Sequence, residues 1–196
     1  MWSVGSGKML GIPSLNTDTT ENDFCKSMYN SNKENLICKS CYSMSMLSTF
    51  RKNCKPKFLN NSKYLSSKIH SREYLPPCPS SIGRFHSHGE LINSIHLENI
   101  MNICENQPMT TFTLWTKRKN IVTRVLKSRR KPKNLILIYS NPYVDKLDVK
   151  VPKHFDKVFN NVSKDSSNVN CNRKCLDCRL CYTLGEPTKQ IIEVIK

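Results

Sequence analysis

"TTFTLWTKRKNIVTRVLKSRRKPKNLILIYS", residues 110–140, is the stretch that decides the fold. Its first part, 110–116, is rich in β-branched and aromatic residues, which is typical of a buried strand. The middle, 120–130, carries apolar residues at helical spacing up to Pro132, and 134–140 is almost wholly apolar, as expected of a strand covered on both faces. Two strands joined by a helix predict a parallel pair with a right-handed crossover.

The segments on either side extend this alternation. We expect a strand in 81–90 that turns at Gly89, a helix in 91–104 that ends before Pro108, and a further strand in 156–163. Upstream, 55–73 is a predicted helix followed by a break at 76–79, and 188–196 is a final strand or helix. The predicted fold class is α/β, with a mostly parallel sheet or a partial β/α barrel.

The length of 196 residues indicates a single domain. Within it we expect a cysteine-rich N-terminal segment (1–54), an α/β core (80–163) and a C-terminal cysteine cluster with its tail (170–196), which a polar linker at 163–170 precedes. No apolar run is long enough to cross a bilayer, and the N-terminus has no signal-like apolar region. The sequence therefore predicts a cytoplasmic protein without a membrane partner.

Ten cysteines are the most informative feature, because in a reducing compartment closely spaced cysteines more often hold metal than form disulfides. Four of them lie within eleven residues near the C-terminus: Cys171, Cys175, Cys178 and Cys181. Their spacing suits an iron–sulfur cluster, in particular [4Fe-4S], whose irons face several directions. Cys54, Cys78 and Cys104 stand singly and are predicted to be buried small hydrophobic residues.

A second group, Cys25, Cys38 and Cys41, lies near the N-terminus. The knuckle from Cys38 to Cys41 could pair with the one from Cys178 to Cys181 in a tetrahedral zinc site. Three arrangements therefore stay open: one cluster in each group, one cluster shared between the groups, or zinc. In each case we expect the two cysteine-rich segments to fold together around metal.

The spacing from Cys171 through Cys175 to Cys178 is also the one that radical SAM enzymes use, so S-adenosylmethionine (SAM) is a candidate ligand. Two features disfavour it. In those enzymes the triplet comes early and a barrel follows, whereas here only eighteen residues follow Cys178. Cys181 could also occupy the iron that SAM requires.

The stretch "RFHSHGE" is the candidate catalytic site. If it is extended, alternation puts four ionisable side chains on one face: Arg84, His86, His88 and Glu90. Such a cluster could bind an anion or move a proton. The alternatives are a structural hydrogen-bond network and a ligand for a nearby metal.

The charge balance favours a polyanionic partner. There are 31 Lys and Arg against 15 Asp and Glu, a net charge of +16. The segment 117–133 is especially basic, and the candidate nucleic-acid-binding residues are Lys117, Arg118, Lys119, Arg124, Arg129 and Arg130. The alternatives are a solvated helix face and the Lys- and Asn-rich composition that an AT-rich genome imposes.

Together the motifs resemble those of the bacteriophage gene product 88 family. In order they are "GIPSLNT", Cys25, "CKSCYS", "GRFHSHGEL", "FTLWTKR" and the late cysteines. The resemblance implies a phage-encoded, metal-binding protein, which would then lie in the host-cell cytoplasm, and it assigns no reaction. By position, Cys25, Cys38 and Cys41 match the family's early cysteines, and Arg84, His86, Gly89 and Glu90 match its central motif. Lys26 replaces the family's proline, and Glu90 is longer than its aspartate.

Two functions follow from the sequence. One is an iron–sulfur protein that acts as a redox or radical-type enzyme. The other is a non-catalytic module, stabilised by zinc or a cluster, that binds nucleic acid.

Overall fold

A computed structural model describes residues 1–164 and 167–195, and one seven-stranded sheet organises them. The strands are β1 (Trp2–Val4), β2 (Pro13–Leu15), β3 (Ile82–Phe85), β4 (Thr111–Thr116), β5 (Leu135–Val144), β6 (Lys157–Val162) and β7 (Gln190–Val194). They follow one another across the sheet in chain order. β1 is antiparallel to β2, and every later pair of neighbours is parallel. The predicted α/β class with a mostly parallel sheet is confirmed.

Neighbouring strands are consecutive in the chain, as they are in a β/α barrel. Because the order does not reverse from β2 to β6, right-handed crossovers carry those connections over the same face. The segment between β6 and β7 packs on the other face. In such a sheet the carboxyl ends of neighbouring parallel strands meet at one edge, where ligands generally bind. We call the segments that follow β2, β3 and β4 the carboxyl edge; they comprise residues 16–20, 86–90 and 117–118.

Within the described residues, six helices accompany the sheet: α1 (Asp23–Tyr29), α2 (Tyr42–Ser48), α3 (Lys55–Ser67), α4 (Ser94–Asn106), α5 (Lys119–Val125) and α6 (Cys175–Cys178). Short 3₁₀ turns lie at Gly7–Met9, Ile37–Ser40, Lys52–Cys54 and Arg72–Tyr74. The predicted helix at 120–130 is shorter than expected. It ends at Val125, whose carbonyl accepts hydrogen bonds from the N–H groups of Ser128 and Arg129 as the chain turns.

The sheet has an apolar cluster on each face. On the helix side, Phe85, Phe112 and Leu114 pack with residues of α3, α4 and α5. On the opposite face, Trp115 and Ile138 pack with residues of the C-terminal segment. The side chains of β4 alternate between the two faces, and both predicted central strands are buried on both sides.

All three predicted parts of the chain contribute to this one sheet. β2 comes from segment 1–54 and β7 from segment 170–196, on either side of the strands of the core. Cys78 and Cys104 are buried, as predicted, and Cys54 is half-buried beside a small apolar cluster. Within the predicted linker 163–170, residues 165 and 166 lie outside the described residues. No helix in the described part of the chain is long and apolar enough to span a membrane.

Candidate functional site

Seven cysteines form two groups in different parts of the fold. We call Cys25, Cys38 and Cys41 the edge thiols, because they lie in the connection after β2. We call Cys171, Cys175, Cys178 and Cys181 the sheet-face thiols, because their segment packs on the face opposite the helices. All seven are free and half-buried. The N-terminal residues that meet the sheet-face thiols are Lys8, Met9 and Ile12.

The metal site predicted from the cysteines stays a prediction. In residues 1–164 and 167–195, no group of three His, Cys, Asp or Glu side chains is arranged to hold a metal ion. The expectation that the early and late cysteines gather together is not met, since the two groups pack against different parts of the sheet.

A helix cap fixes the first edge thiol. The side-chain oxygen of Asn22 accepts hydrogen bonds from the N–H groups of Phe24 and Cys25, at 3.0 and 3.3 Å, so that α1 begins with Cys25 in its first turn. The amide nitrogen of Asn22 donates to the carbonyl of Glu90 at 3.1 Å. Cys25 is therefore tied to the loop that follows β3.

The other two edge thiols lie on a segment anchored to β5. Cys38 is in the 3₁₀ turn Ile37–Ser40, and Cys41 directly precedes α2. Just before them, the N–H of Val144 donates to the carbonyl of Asn35 at 2.8 Å. The connection after β2 thus reaches across to the far side of the carboxyl edge.

The surroundings of Cys25 and Cys38 disfavour free thiolates. Burial is the main cause that raises the pKa of Cys25 and of Cys38, and the neighbouring Glu90 and Cys41 raise both further. The ammonium of Lys117 acts in the opposite direction. Ionising Cys25 and Cys38 would require additional positive charge at this position.

Glu90 joins β3 to β4 at the carboxyl edge. Its buried carboxylate accepts hydrogen bonds from the hydroxyl of Thr116 and from the N–H groups of Lys117 and Leu91, the latter two at 2.7 Å. Burial raises the pKa of Glu90, and Lys117 opposes this rise. The Lys117 ammonium itself donates to the Ser140 hydroxyl at 2.8 Å.

The central motif does not continue as a strand beyond Phe85. His86 has a φ of +62°, a left-handed conformation that ends the alternation. The side-chain oxygen of Asn16 accepts from the N–H groups of Ser87 and His88, at 3.0 and 3.1 Å, and holds the loop against the end of β2. The prediction of one shared face is therefore wrong for the four residues concerned, Arg84, His86, His88 and Glu90.

These four side chains lie in separate surroundings. Arg84 lies on the sheet face with its guanidinium 3.8 Å from the ring centre of Trp115. The ring of His86 is buried edge-on to that of His96, with 5.1 Å between the centres. His88 stacks on Phe58, at 5.7 Å. The assignment of the four as catalytic stays a prediction.

Acid should destabilise the protein through the two histidines of the central motif, His86 and His88. Burial lowers the pKa of His86 to about 3 and of His88 to about 4. Because both values lie below the usual ~6.5, the unfolded chain takes up protons first as the pH falls. Stability is therefore complete above pH ~6.5 and is lost as the pH falls towards the folded values, by up to about 1.4 kcal/mol per pH unit for each histidine.

Urea unfolding between pH 7.5 and 5.5 measures this loss. Because the Nδ1 of His88 lies 3.2 Å from the Ser43 hydroxyl, His88→Gln keeps a polar partner there and should remove the contribution of one histidine to the slope. A free energy of unfolding that does not change over this range would contradict the expectation.

The sheet-face thiols surround a single turn of helix. Cys175 and Cys178 lie at the two ends of α6, and the left-handed Arg179, with a φ of +53°, turns the chain back towards Cys181. On the other side the N–H of Cys171 donates to the carbonyl of Ile192 at 3.0 Å, which ties the first thiol beside β7. The four thiols therefore come from one compact loop.

Burial also governs the acidity of this group. It raises the pKa of Cys171 to about 11 and of Cys181 to about 12, and neighbouring thiols add to the rise in both. Positive charges oppose it: Lys8 at Cys171, and Arg84 at Cys175 and Cys181.

The predicted nucleic-acid-binding residues do not form one free surface. Arg129 makes ion pairs with Glu98 and Glu105 of α4 and donates to the side chain of Asn102 at 2.8 Å. Arg118 donates to the carbonyl of Leu91 at 3.2 Å, and its guanidinium lies over the ring of Phe24 in α1. The ammonium of Lys117 is held by the Ser140 hydroxyl. The exposed members of the set are Lys119, Arg124 and Arg130.

Sequence reasoning missed the contribution of "NTDTT", residues 16–20, which follows β2 at the carboxyl edge. Asn16, Thr17, Asp18 and Thr19 are all buried. One carboxylate oxygen of Asp18 accepts from the Thr20 hydroxyl, whereas its other oxygen has no hydrogen-bond partner in the described part of the chain. The feature of the sequence that could have indicated this contribution is a polar run directly after the short apolar stretch "IPSL".

Fold and site together define an α/β protein with a thiol-bearing connection at the carboxyl edge of its sheet and a second thiol group on the sheet face. The family model of Gene product 88 matches residues 5–184. The chain belongs to this bacteriophage family, as its motifs predicted. No curated protein and no solved structure was found to match it.

Proposed function

We propose that the protein is an iron–sulfur enzyme whose edge thiols hold the reactive cluster. The observation that carries the proposal is the position of Cys25, Cys38 and Cys41, in the connection after the first parallel strand of the sheet. This connection lies at the carboxyl edge, where sheets of this kind place their reactions. Three cysteines on a four-iron cluster leave one iron free for a ligand other than cysteine.

The donor set fits such a cluster. Thiolate sulfur selects iron–sulfur clusters, zinc or copper(I) over hard cations. Burial raises the pKa of Cys25 and Cys38, so their thiolates need compensating positive charge, which bound iron would provide. Cap and loop contacts anchor this connection to the ends of β3 and β5.

We further propose SAM as the ligand of the free iron. The C-terminal run lies between β6 and β7 and packs on the sheet face, away from the carboxyl edge, so we do not place SAM there. The edge thiols come early, and five parallel strands follow them, although their spacing of twelve and two intervening residues differs from the usual three and two. A cluster of this type, when bound, supplies an electron to the sulfonium of SAM.

The chain's own residues would position this ligand. The ammonium of Lys117, held by the Ser140 hydroxyl, offers a positive partner for a carboxylate. The side chains of residues 16–19, which follow β2 at the same carboxyl edge, are buried polar groups. The unpartnered oxygen of Asp18 offers an acceptor for an ammonium group.

Serine substitutions of the edge thiols test the proposal. In protein reconstituted without oxygen, Cys25→Ser/Cys38→Ser/Cys41→Ser should lose about four irons and four sulfides per chain and should no longer bind SAM in equilibrium dialysis. Cys54→Ser is the matched control, because Cys54 is half-buried and outside both groups. Unchanged iron in the triple variant, or SAM binding that survives in it, would refute the assignment.

Nucleic-acid binding is the second candidate function, and one feature of the surface favours it. A cavity of about 340 Å³ at the turn after α5 is lined by Lys127, Arg130 and other basic side chains. Arg130, and Arg124 in the last turn of α5, are exposed. Arg129 is unsuitable as a probe, because its replacement would break the ion pairs with α4.

Charge reversal at the exposed residues separates this function from the first. If they bind phosphates, Arg124→Glu/Arg130→Glu should weaken duplex binding and reduce the salt slope by roughly 0.9 for each phosphate that is no longer neutralised. Lys33→Glu/Lys68→Glu, which reverses two exposed charges elsewhere, is the control. Equal affinities and equal slopes for the two variants would assign binding to net charge alone.

A further inference from the structure

The sheet face beneath the sheet-face thiols contains buried hydrogen-bond donors without acceptors. In the described part of the chain, the Nε of Arg84 and the Nε1 of Trp115 have no hydrogen-bond partner. The side chains of Trp115 and Tyr182 are 7% and 5% exposed. Arg84 lies close to the Tyr182 hydroxyl, but a guanidinium only donates, so the hydroxyl hydrogen still lacks an acceptor. Buried donors of this kind are costly unless a ligand accepts from them.

The donors and the thiols belong to the same apolar cluster. Trp115 and Tyr182 pack with Ile12, and Cys175 and Cys181 lie against this cluster. Arg84 is held over the Trp115 ring, and its charge acts on the two cysteines. The unpaired donors and the thiols therefore lie on the same part of the sheet face.

A second cation closes the group from the N-terminal side. The ammonium of Lys8 donates to the carbonyl of Cys171 at 2.7 Å and lies 3.9 Å from its Sγ. It is held by Glu193 of β7 at 2.5 Å. With Arg84 on the sheet, Lys8 would offset the net negative charge of metal-bound thiolates.

We infer that the sheet-face thiols hold a second [4Fe-4S] cluster, distinct from the one at the edge, and that Arg84, Trp115 and Tyr182 donate hydrogen bonds to its sulfurs. An acceptor-rich group of sulfides and thiolates satisfies all three donors together. With four cysteines, every iron has a protein ligand, so this cluster carries electrons and binds no substrate. The inference rests on the proposed iron–sulfur chemistry but on different cysteines.

The charge and the donors should set the cluster's reduction potential. Reduction adds negative charge, which cations and hydrogen bonds to sulfur stabilise. Arg84→Gln, Trp115→Phe and Tyr182→Phe should each make the potential more negative. Tyr139→Phe is the matched control, because Tyr139 is equally buried but lies on the helix side of the sheet.

The test uses the full chain with all three edge thiols changed to serine, so that only the inferred cluster remains. After anaerobic reconstitution we expect about four irons and four sulfides per chain, and a more negative potential in the three variants but not in Tyr139→Phe. Zinc without sulfide, or no iron, would overturn the site. Retained iron with unchanged potentials would overturn the role of the donors. If the proposed edge cluster does not exist, the unmodified protein and the variant without edge thiols will contain equal amounts of iron, so the two proposals can be tested separately.

Discussion

Gly89→Ala is expected to destabilise the protein by about 3–5 kcal/mol. Gly89 has a φ of +92°, and a Cβ atom there would lie 2.1 Å from the hydroxyl oxygen of Thr17 and 2.5 Å from its carbonyl oxygen. The end of β2 and the loop after β3 touch at this point, so neither backbone can withdraw without opening the carboxyl edge. Urea unfolding measures the loss.

Gly185→Ala provides the control for backbone strain alone. Gly185 also has a positive φ, of +73°, but a Cβ atom there meets nothing within 4 Å. Its cost should therefore be about 1 kcal/mol. Similar losses in the two variants would show that the close approach of Gly89 to Thr17 does not constrain the fold.

Glu90→Ala is the second change with a large expected effect, a loss of about 3–5 kcal/mol. It leaves the Thr116 hydroxyl and the N–H groups of Lys117 and Leu91 buried without their acceptor. Glu90→Gln keeps one oxygen and should cost less. Because the Glu90 loop also fixes α1 through Asn22, the alanine variant should bind less iron.

A surface carboxylate serves as the reference for this substitution. Glu73 is exposed, and its replacement by alanine should change the free energy of unfolding by no more than about 0.5 kcal/mol. If Glu90→Ala unfolds with the same free energy as Glu73→Ala, Glu90 does not join β3 to β4.

Elements with long periodic patterns could be predicted from the sequence. β4 and β5 were predicted from short, mainly apolar or β-branched segments, which are typical of a strand buried on both faces. α4 was predicted from apolar residues at helical spacing that end before Pro108. β2 could not be predicted in this way. It has three residues, begins with a proline, and is defined by pairing with residues about seventy positions later.

The candidate site was predictable in its composition but not in its arrangement. Alternation through the central motif fails at His86, because the side chain of Asn16 accepts hydrogen bonds from the following N–H groups. Asn16 directly follows β2, a strand that was not predicted. In the basic segment, Arg129 is not free to bind a phosphate, because it makes ion pairs with two glutamates of α4. The tertiary packing of the turn after α5 against α4 creates these ion pairs. Neither the turn at His86 nor the ion pairs of Arg129 can be predicted from the spacing of residues along the sequence.

The most direct test of the account is the iron, zinc and acid-labile sulfide content of the unmodified protein, purified and reconstituted without oxygen. Two clusters, one at the edge thiols and one at the sheet-face thiols, predict about eight irons and eight sulfides per chain, with little zinc. Zinc without sulfide would contradict the account, because both cysteine groups would then serve as structural sites.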